Sequence, residues 1–169
     1  MRGAEIIMIG KLKIILLVTA AVIFQVTVIP RYLADPFQPN LLILFVVHAG
    51  LRWQSRWGAP AAFMLGLIQD SFSGIYFGLN GFSFLLIFFI LDRIADRLYT
   101  DSRLLMVLAT FIATLINSVV TLCLLVVFSE ARGIYVTLIF NLLPQAALNA
   151  WIALSLEYLL PERKVEGTQ

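Results

Sequence analysis

Charged residues are scarce in this chain. Only 13% of its 169 residues are Asp, Glu, Lys or Arg, and 61% are hydrophobic, whereas soluble domains carry about 25% charged residues. So few charges cannot cover the surface of a water-soluble protein, which argues against a soluble enzyme. High hydrophobicity also excludes a disordered chain. The composition therefore predicts an integral membrane protein with one domain.

Cysteine and histidine are each present once, as Cys123 and His48. A lone cysteine excludes an intrachain disulfide and a cysteine metal cluster. A membrane histidine could relay protons, but no carboxylate lies near His48 in sequence, and we interpret it as structural. H-E-x-x-H, G-x-S-x-G and P-loop motifs are absent, and an intramembrane aspartyl protease would need a second aspartate beside Asp70. We therefore expect no enzymatic activity, no metal and no cofactor.

Six apolar runs predict an all-α polytopic membrane protein with short loops and cytoplasmic termini. The second, third and fourth runs are short, and their apolar parts rise only about 16–20 Å against a hydrocarbon core of about 30 Å. To cross the membrane, these helices must be extended by flanking residues. Otherwise they must lie behind other helices, where lipid does not reach the backbone. Pro30 stops the first apolar run, and we expect Pro144 to kink the sixth helix. Within a single transmembrane domain of residues 1–169, the predicted spans are about 12–29, 39–53, 57–70, 78–94, 104–128 and 134–160.

Basic residues predict the orientation. With the N-terminus inside, ten of the twelve fall on cytoplasmic segments, as the positive-inside rule expects, and two, Arg31 and Arg132, fall outside. The first run resembles the start of a signal peptide but has no A-x-A-type site, so we interpret it as a retained helix. The cytoplasmic set is Arg2, Lys11, Lys13, Arg52, Arg56, Arg93, Arg97, Arg103, Arg163 and Lys164.

The outer loop between the third and fourth spans has the most unusual polar pattern, with several glycines around Asp70. A carboxylate at the centre of a membrane helix costs about 2.5–3.5 kcal/mol, so Asp70 needs water or backbone donors, which glycine turns can present. Two interpretations stay open. One is a clamp that fixes a re-entrant loop. The other is a partner- or ligand-binding site formed by Gln69, Asp70, Gly74, Gly78 and Asn80.

Small and polar residues recur at helical spacing on three spans. On the third span a four-residue repeat of small residues lets helices approach closely, and we interpret it as internal packing by Gly58, Ala62 and Gly66. We expect two polar stripes to form interhelical hydrogen bonds worth about 0.6 kcal/mol each, with a polar cavity as the alternative. The stripes are Thr110, Thr114, Asn117 and Thr121 on the fifth span, and Asn141, Gln145 and Asn149 on the sixth.

These features resemble the MreD family, the small membrane subunit of the bacterial rod-shape machinery. The resemblance is carried by Pro39-Asn40-Leu-Leu, by Gly66-Leu-Ile-Gln69-Asp70, and by Gly74 to Asn80. It implies a non-catalytic scaffold of the bacterial inner membrane, within the cell-elongation complex (the elongasome) that directs peptidoglycan synthesis. The implied partners are an MreC-like protein, the wall polymerase and transpeptidase, and indirectly MreB filaments. We expect membrane lipid around the chain and no nucleic acid partner.

Proteins of the MreD family also resemble, in fold, the S-components of energy-coupling-factor transporters. This likeness gives the alternative hypothesis, a small-molecule-binding subunit with its site near the outer side. S-components typically carry an A-x-x-x-A patch in the first span. Here Phe24 and Gln25 stand four residues after Ala20 and Ala21, so that patch is missing.

Overall fold

Six helices make up the described part of the chain. The computed structural model describes residue 12 and residues 15–33, 37–52, 57–73, 77–95, 102–128 and 134–159, and these residues contain no strand. The predicted all-helical class is therefore confirmed. The helices are α1 (Ile15–Tyr32), α2 (Leu41–Arg52), α3 (Gly58–Ser73), α4 (Leu79–Ala95), α5 (Arg103–Phe128) and α6 (Ile134–Leu159).

The helices of the bundle fall into two classes by length. Within the described residues, α1, α5 and α6 are long and apolar enough to cross a membrane. With 26 residues each, α5 and α6 are about 39 Å long. Helix α2 has only 12 residues, so it extends about 18 Å and falls short of a hydrocarbon core of about 30 Å. Six complete crossings therefore stay a prediction.

The predicted orientation rests on basic residues that lie mostly in the parts not described. Arg31, Arg52, Arg93 and Arg103 lie within the described ranges. Both termini lie outside them, so their cytoplasmic location stays a prediction. Also outside are Arg2, Lys11, Lys13, Arg56, Arg97, Arg132, Arg163 and Lys164.

Helix α1 continues past Pro30 and ends at Tyr32, three residues beyond the predicted span of 12–29. A π-helical segment, Phe24–Val28, precedes the proline, and the N–H of Ile29 donates to the carbonyl of Phe24. Pro30 then lies in the first turn of the α-helical segment that follows, where a missing N–H costs little. Pro144 lies inside α6, which is assigned as one helix from Ile134 to Leu159.

Helix α2 lies at the centre of the bundle and contacts α3, α4, α5 and α6. Its Ile43, Val46 and Val47 are completely buried, and they belong to one apolar core with Phe84 and Ile87 of α4. The core surrounds α2 on several sides, so its backbone is shielded from lipid although the helix is short. Burial thus supplies the stability that a helix of this length lacks by itself.

The two ends of α2 mark two regions of the bundle that are named here. Where α2 ends, the guanidinium of Arg52 donates to the carboxylate of Glu157 on α6 at 3.1 Å. We name this the Arg52 end. At the opposite end, α1 and α3 finish and α2 and α4 begin. We name it the Asp70 end; the sequence predicts that it faces outward.

Candidate functional site

Asp70 caps the first turn of α4 from the last turn of α3. Its side chain is buried, with 4% exposed, and its two carboxylate oxygens accept four hydrogen bonds. Oδ2 accepts the backbone N–H of Gly78 at 2.9 Å and that of Gly81 at 3.1 Å. Oδ1 accepts the backbone N–H of Asn80 at 3.0 Å and its amide Nδ2 at 2.8 Å. The carboxylate therefore satisfies amide groups that helix geometry leaves without partners.

Two glycines make this cap possible. Gly78 has φ +97°, a left-handed conformation that costs little only for glycine, and it turns the chain so that three amides converge on Asp70. A Cβ on Gly66 would lie 2.5 Å from the Asn80 carbonyl oxygen and 2.5 Å from the backbone of Gly81. Only a residue without a side chain lets α3 approach the start of α4 this closely.

Three of the five residues predicted as an outer-loop site meet at this cap: Asp70, Gly78 and Asn80. Gly74 lies outside the described residues. Gln69 contributes to a different place, a cavity described below. Because every oxygen lone pair of Asp70 already faces a donor, the carboxylate has little capacity left for a ligand.

The first turn of α2 is capped by amide side chains instead of a carboxylate. Asn149 of α6 accepts the N–H of Asn40 at 2.9 Å. Gln25 of α1 accepts the N–H groups of Leu41 at 2.8 Å and Leu42 at 3.3 Å. The side chain of Asn40 accepts the next N–H in the helix, at 3.3 Å. All four N–H groups at the start of α2 are thereby satisfied.

Amide caps are needed here because α2 begins deep in the bundle. Asn149 lies ten residues before the end of the 26-residue helix α6, so the start of α2 lies near the middle of the long helices. Among packed helices an unsatisfied backbone group costs about 1–3 kcal/mol. Neutral amides supply the acceptors without placing a charge there.

The predicted polar stripes of α5 and α6 meet in part. Asn149 donates to Thr114 Oγ1 at 3.0 Å, and Ser83 of α4 donates to Asn117 at 2.7 Å. Thr110 donates to the carbonyl of its own preceding turn. The hydroxyl of Thr121 is buried without a hydrogen-bond partner among the described residues. Asn141 is half-buried, and Gln145 donates to the carbonyl of Gln38 at 3.2 Å.

The small-residue repeat of α3 faces α4. Gly58, Ala62 and Gly66 are all buried. A Cβ on Gly58 would collide with the ring of Phe88, just as one on Gly66 would collide with the start of α4. These positions therefore set the distance between α3 and α4.

A cavity of about 240 Å³ lies at the Asp70 end between α1, α2, α3 and α6. We name it the amide cavity, because five amide side chains line it. One of them, Gln69, has a buried Oε1 without a hydrogen-bond partner in the described part of the chain. The described residues contain no group of three His, Cys, Asp or Glu side chains that could hold a metal. The five amides are Gln25, Gln38, Asn40, Gln69 and Gln145.

Comparison with known proteins identifies the family. A family model described as rod shape-determining protein MreD matches residues 6–161, nearly the whole chain. The chain belongs to the MreD family. Membership implies a role in determining rod shape, and together with the three long apolar helices it indicates a membrane protein. No curated protein and no solved structure gives a match, so the likeness to S-components stays a prediction.

Sequence reasoning missed two features of this MreD-family chain. The first is Gln25, which caps α2 from another helix. Its signal was available, because Gln25 is an uncharged polar residue inside the first apolar run. The second is the Arg52–Glu157 pair, 105 residues apart. Their partnership has no sequence signal, since only packing brings the two helix ends together.

Proposed function

We propose that this chain is a non-catalytic, multi-pass scaffold subunit of the cell-elongation complex in the bacterial inner membrane. It binds an MreC-like membrane protein and associates with the wall polymerase and transpeptidase, with MreB filaments as indirect partners. Family membership supports the role in rod shape. The scaffold role and the MreC-like partner are proposals that go beyond family membership.

One observation carries the proposal: the carboxylate of Asp70 is used for architecture. All of its hydrogen bonds within the described residues hold the start of α4 against α3. A catalytic acid, base or nucleophile must be within reach of a substrate, whereas both oxygens of this carboxylate are engaged by four hydrogen bonds within the protein. A carboxylate that fixes one helix against another in this way supports a rigid binding surface.

Apolar side chains exposed on the outer faces of the long helices supply that surface. On α6, Leu143, Trp151 and Tyr158 are at least 64% exposed, and on α5 Leu104 is 76% exposed. Faces of this kind in a membrane protein are covered by lipid or by another helix. A partner with a membrane-spanning helix fits them by shape and not by charge.

Co-purification with an epitope-tagged MreC-like protein from detergent extracts tests the proposal. We expect the two proteins to remain together through affinity and size-exclusion steps. A photo-crosslinking residue placed in turn at Leu16 of α1, Phe89 of α4, Leu108 of α5 and Trp151 of α6, all exposed, then maps the contact. We expect crosslinks from one face only.

The same crosslinker at Ile43, which is fully buried, provides the negative control. Absence of any wall-synthesis protein from the purified material, with folded protein recovered in normal yield, would contradict the scaffold proposal. Crosslinks of equal intensity from all four faces would indicate nonspecific association and would contradict it as well.

A further inference from the structure

An open groove runs along the outer face of α4, and we name it the α4 groove. Its volume is about 620 Å³, within the roughly 300–1,000 Å³ of sites that hold small organic ligands. Six apolar side chains between Phe82 and Ile94 line it, and Arg93 is the one charged residue among the described lining residues. By helical periodicity these residues lie opposite to Phe84 and Phe88, which are buried in the bundle. The groove therefore faces away from the bundle.

Arg93 differs from the other arginines that are described at the Arg52 end. Arg52 pairs with Glu157 at 3.1 Å, and the guanidinium of Arg103 lies 5.3 Å from the centre of the Tyr158 ring. Arg93 is exposed and makes no ion pair with another described residue. Its positive charge is therefore available to an anion from outside the chain.

The length of the groove matches the depth of one leaflet of a bilayer. Phe82 and Arg93 are eleven residues apart, which is about 17 Å along a helix. Half of a hydrocarbon core of about 30 Å is about 15 Å. A ligand lying along the groove would therefore extend from headgroup depth at Arg93 to the middle of the bilayer.

The side chains of the groove favour a lipid acyl chain over another helix. Helix contacts in membranes use small residues that let two backbones approach closely, and this chain uses Gly58 and Gly66 in that way between α3 and α4. The described lining of the groove contains no glycine, alanine, serine or threonine. A flexible acyl chain fits between bulky side chains without such an approach.

Phe89 forms a wall of the groove that is already in place. Its ring packs edge-to-face on the ring of Phe88, with centroids 6.1 Å apart and an interplanar angle of 70°. Phe88 is buried in the core, whereas Phe89 is 52% exposed and lines the groove. A wall whose orientation is fixed before binding lowers the cost of ordering the site.

We propose that the α4 groove binds a phospholipid with an anionic headgroup. The guanidinium of Arg93 donates charge-assisted hydrogen bonds to the phosphate, and one acyl chain lies along the apolar side chains as far as Phe82. The lipid belongs to the leaflet at the Arg52 end, which the sequence predicts to be the cytoplasmic one. This binding does not rest on the scaffold role, because it requires only that the chain lies in a membrane.

Photo-crosslinking of the purified full-length protein in nanodiscs tests the proposal. The nanodiscs contain phosphatidylcholine, which has no net charge, and a minor fraction of phosphatidylglycerol, which is anionic. p-Benzoyl-phenylalanine replaces Phe89, so that an aromatic ring stays in the groove. Mass spectrometry of the intact protein gives the ratio of the two lipid adducts, and this ratio is compared with the ratio of the two lipids in the nanodiscs.

One control position and three variants assign the site. The control position for the crosslinker is Leu108, which is exposed on α5 five residues from Arg103, much as Phe89 is four residues from Arg93. Arg93→Gln removes the charge of the groove, and Arg93→Lys keeps it. Arg103→Gln removes a charge at the same end of the bundle but outside the groove.

We expect phosphatidylglycerol to be enriched about fivefold among the adducts of Phe89 and not among those of Leu108. A fivefold enrichment corresponds to about 1 kcal/mol, the attraction of one basic residue to an anionic membrane surface. Arg93→Gln should abolish the enrichment, because no other charge lines the described part of the groove. Arg93→Lys and Arg103→Gln should both retain it.

Several results would overturn the proposal. Adducts of Phe89 without enrichment, equal enrichment at Leu108, or enrichment that survives Arg93→Gln would each do so. An equal loss in Arg103→Gln would indicate attraction to general surface charge instead of a site. A crosslink from Phe89 to a second copy, or to another protein in native membranes, would show that a helix occupies the groove. None of these nanodisc results depends on co-purification with an MreC-like protein, so this proposal and the scaffold proposal can fail separately.

Discussion

Asp70 and Asn80 are joined by two hydrogen bonds to a single carboxylate oxygen, at 3.0 Å from the Asn80 backbone and 2.8 Å from its side chain. The second oxygen holds the N–H groups of Gly78 and Gly81. A neighbouring helix thus caps α4, and α2 is capped in the same manner by Gln25 and Asn149. Each of these two helix starts relies on side chains from elsewhere in the chain, because each starts inside the bundle.

Replacing Asp70 with asparagine tests the cap. One carboxylate oxygen becomes an NH₂ group that faces backbone donors, so we expect a loss of about 2–3 kcal/mol in the free energy of unfolding. Asp70→Leu should lose more and impair rod-shape complementation. Asp92→Asn, near the other end of α4, is the control. Unfolding in mixed micelles provides the measurement, and wild-type stability in Asp70→Asn would rule the cap out as a stabilising feature.

Substituting Gly66 with alanine tests the approach of α3 to α4. The new Cβ would meet the backbone of Asn80 and Gly81 at 2.5 Å, and backbone cannot move aside as a side chain can. We expect a destabilisation of about 1–3 kcal/mol. Ala61, exposed on the same helix, provides the control as Ala61→Ser. Equal stability of both variants would show that the two helices are not in tight contact.

Substitution of Gly78 should lower the free energy of unfolding because of its backbone conformation and not because of crowding. Nothing lies within 4 Å of a Cβ placed there, but its φ is +97°. Gly78→Ala is therefore expected to cost about 1–2 kcal/mol, and Gly78→Asn less, since asparagine tolerates positive φ better. The same unfolding assay ranks the two variants. The reverse order, with alanine the milder, would contradict a conformational cause.

Asn149 and Thr114 share one hydrogen bond, but replacing Asn149 should destabilise the protein more than replacing Thr114. Thr114→Val removes the acceptor of the Asn149 NH₂ and the donor to the Thr110 carbonyl, which already accepts within its own helix. We expect a cost of about 0.6 kcal/mol, the average for an interhelical bond in membranes. Asn149→Leu also leaves the N–H of Asn40 without its acceptor, and we expect about 1–3 kcal/mol. A double-mutant cycle separates the shared bond from the additional loss. Identical costs for the two single variants would show that capping by Asn149 contributes nothing.

The Arg52–Glu157 pair should couple the Arg52 end of α2 to α6. Glu157 is 9% exposed and Arg52 27% exposed at the side chain, so water screens the pair only partly. We expect a coupling of about 1–3 kcal/mol between Arg52→Gln and Glu157→Gln in a double-mutant cycle. Strict additivity of the two single variants would show that the contact is energetically neutral, as for exposed ion pairs.

Composition and periodicity were sufficient to predict the helical membrane class and the approximate positions of the helices. Apolar runs of helical length have few alternatives in lipid, because each backbone amide must be satisfied within its own segment. The resemblance to the MreD family rested on short motifs around Asn40 and Asp70, and the family match confirms it. Those motifs contain the caps of α2 and α4. The π-helical segment before Pro30 has no clear sequence signature, so the sequence did not predict that α1 continues to Tyr32.

The amino-acid sequence by itself determined that this chain is helical, apolar and of the MreD family, and that Asp70 needs donors to compensate its burial. Only the tertiary structure decided which donors these are and that Gln25 and Asn149 converge on the start of α2. It alone left Oε1 of Gln69 without a hydrogen-bond partner in the described part of the chain. The reason is physical: hydrophobic periodicity acts along one helix, whereas the partner of a buried polar group is set by which helices pack together and at what depth.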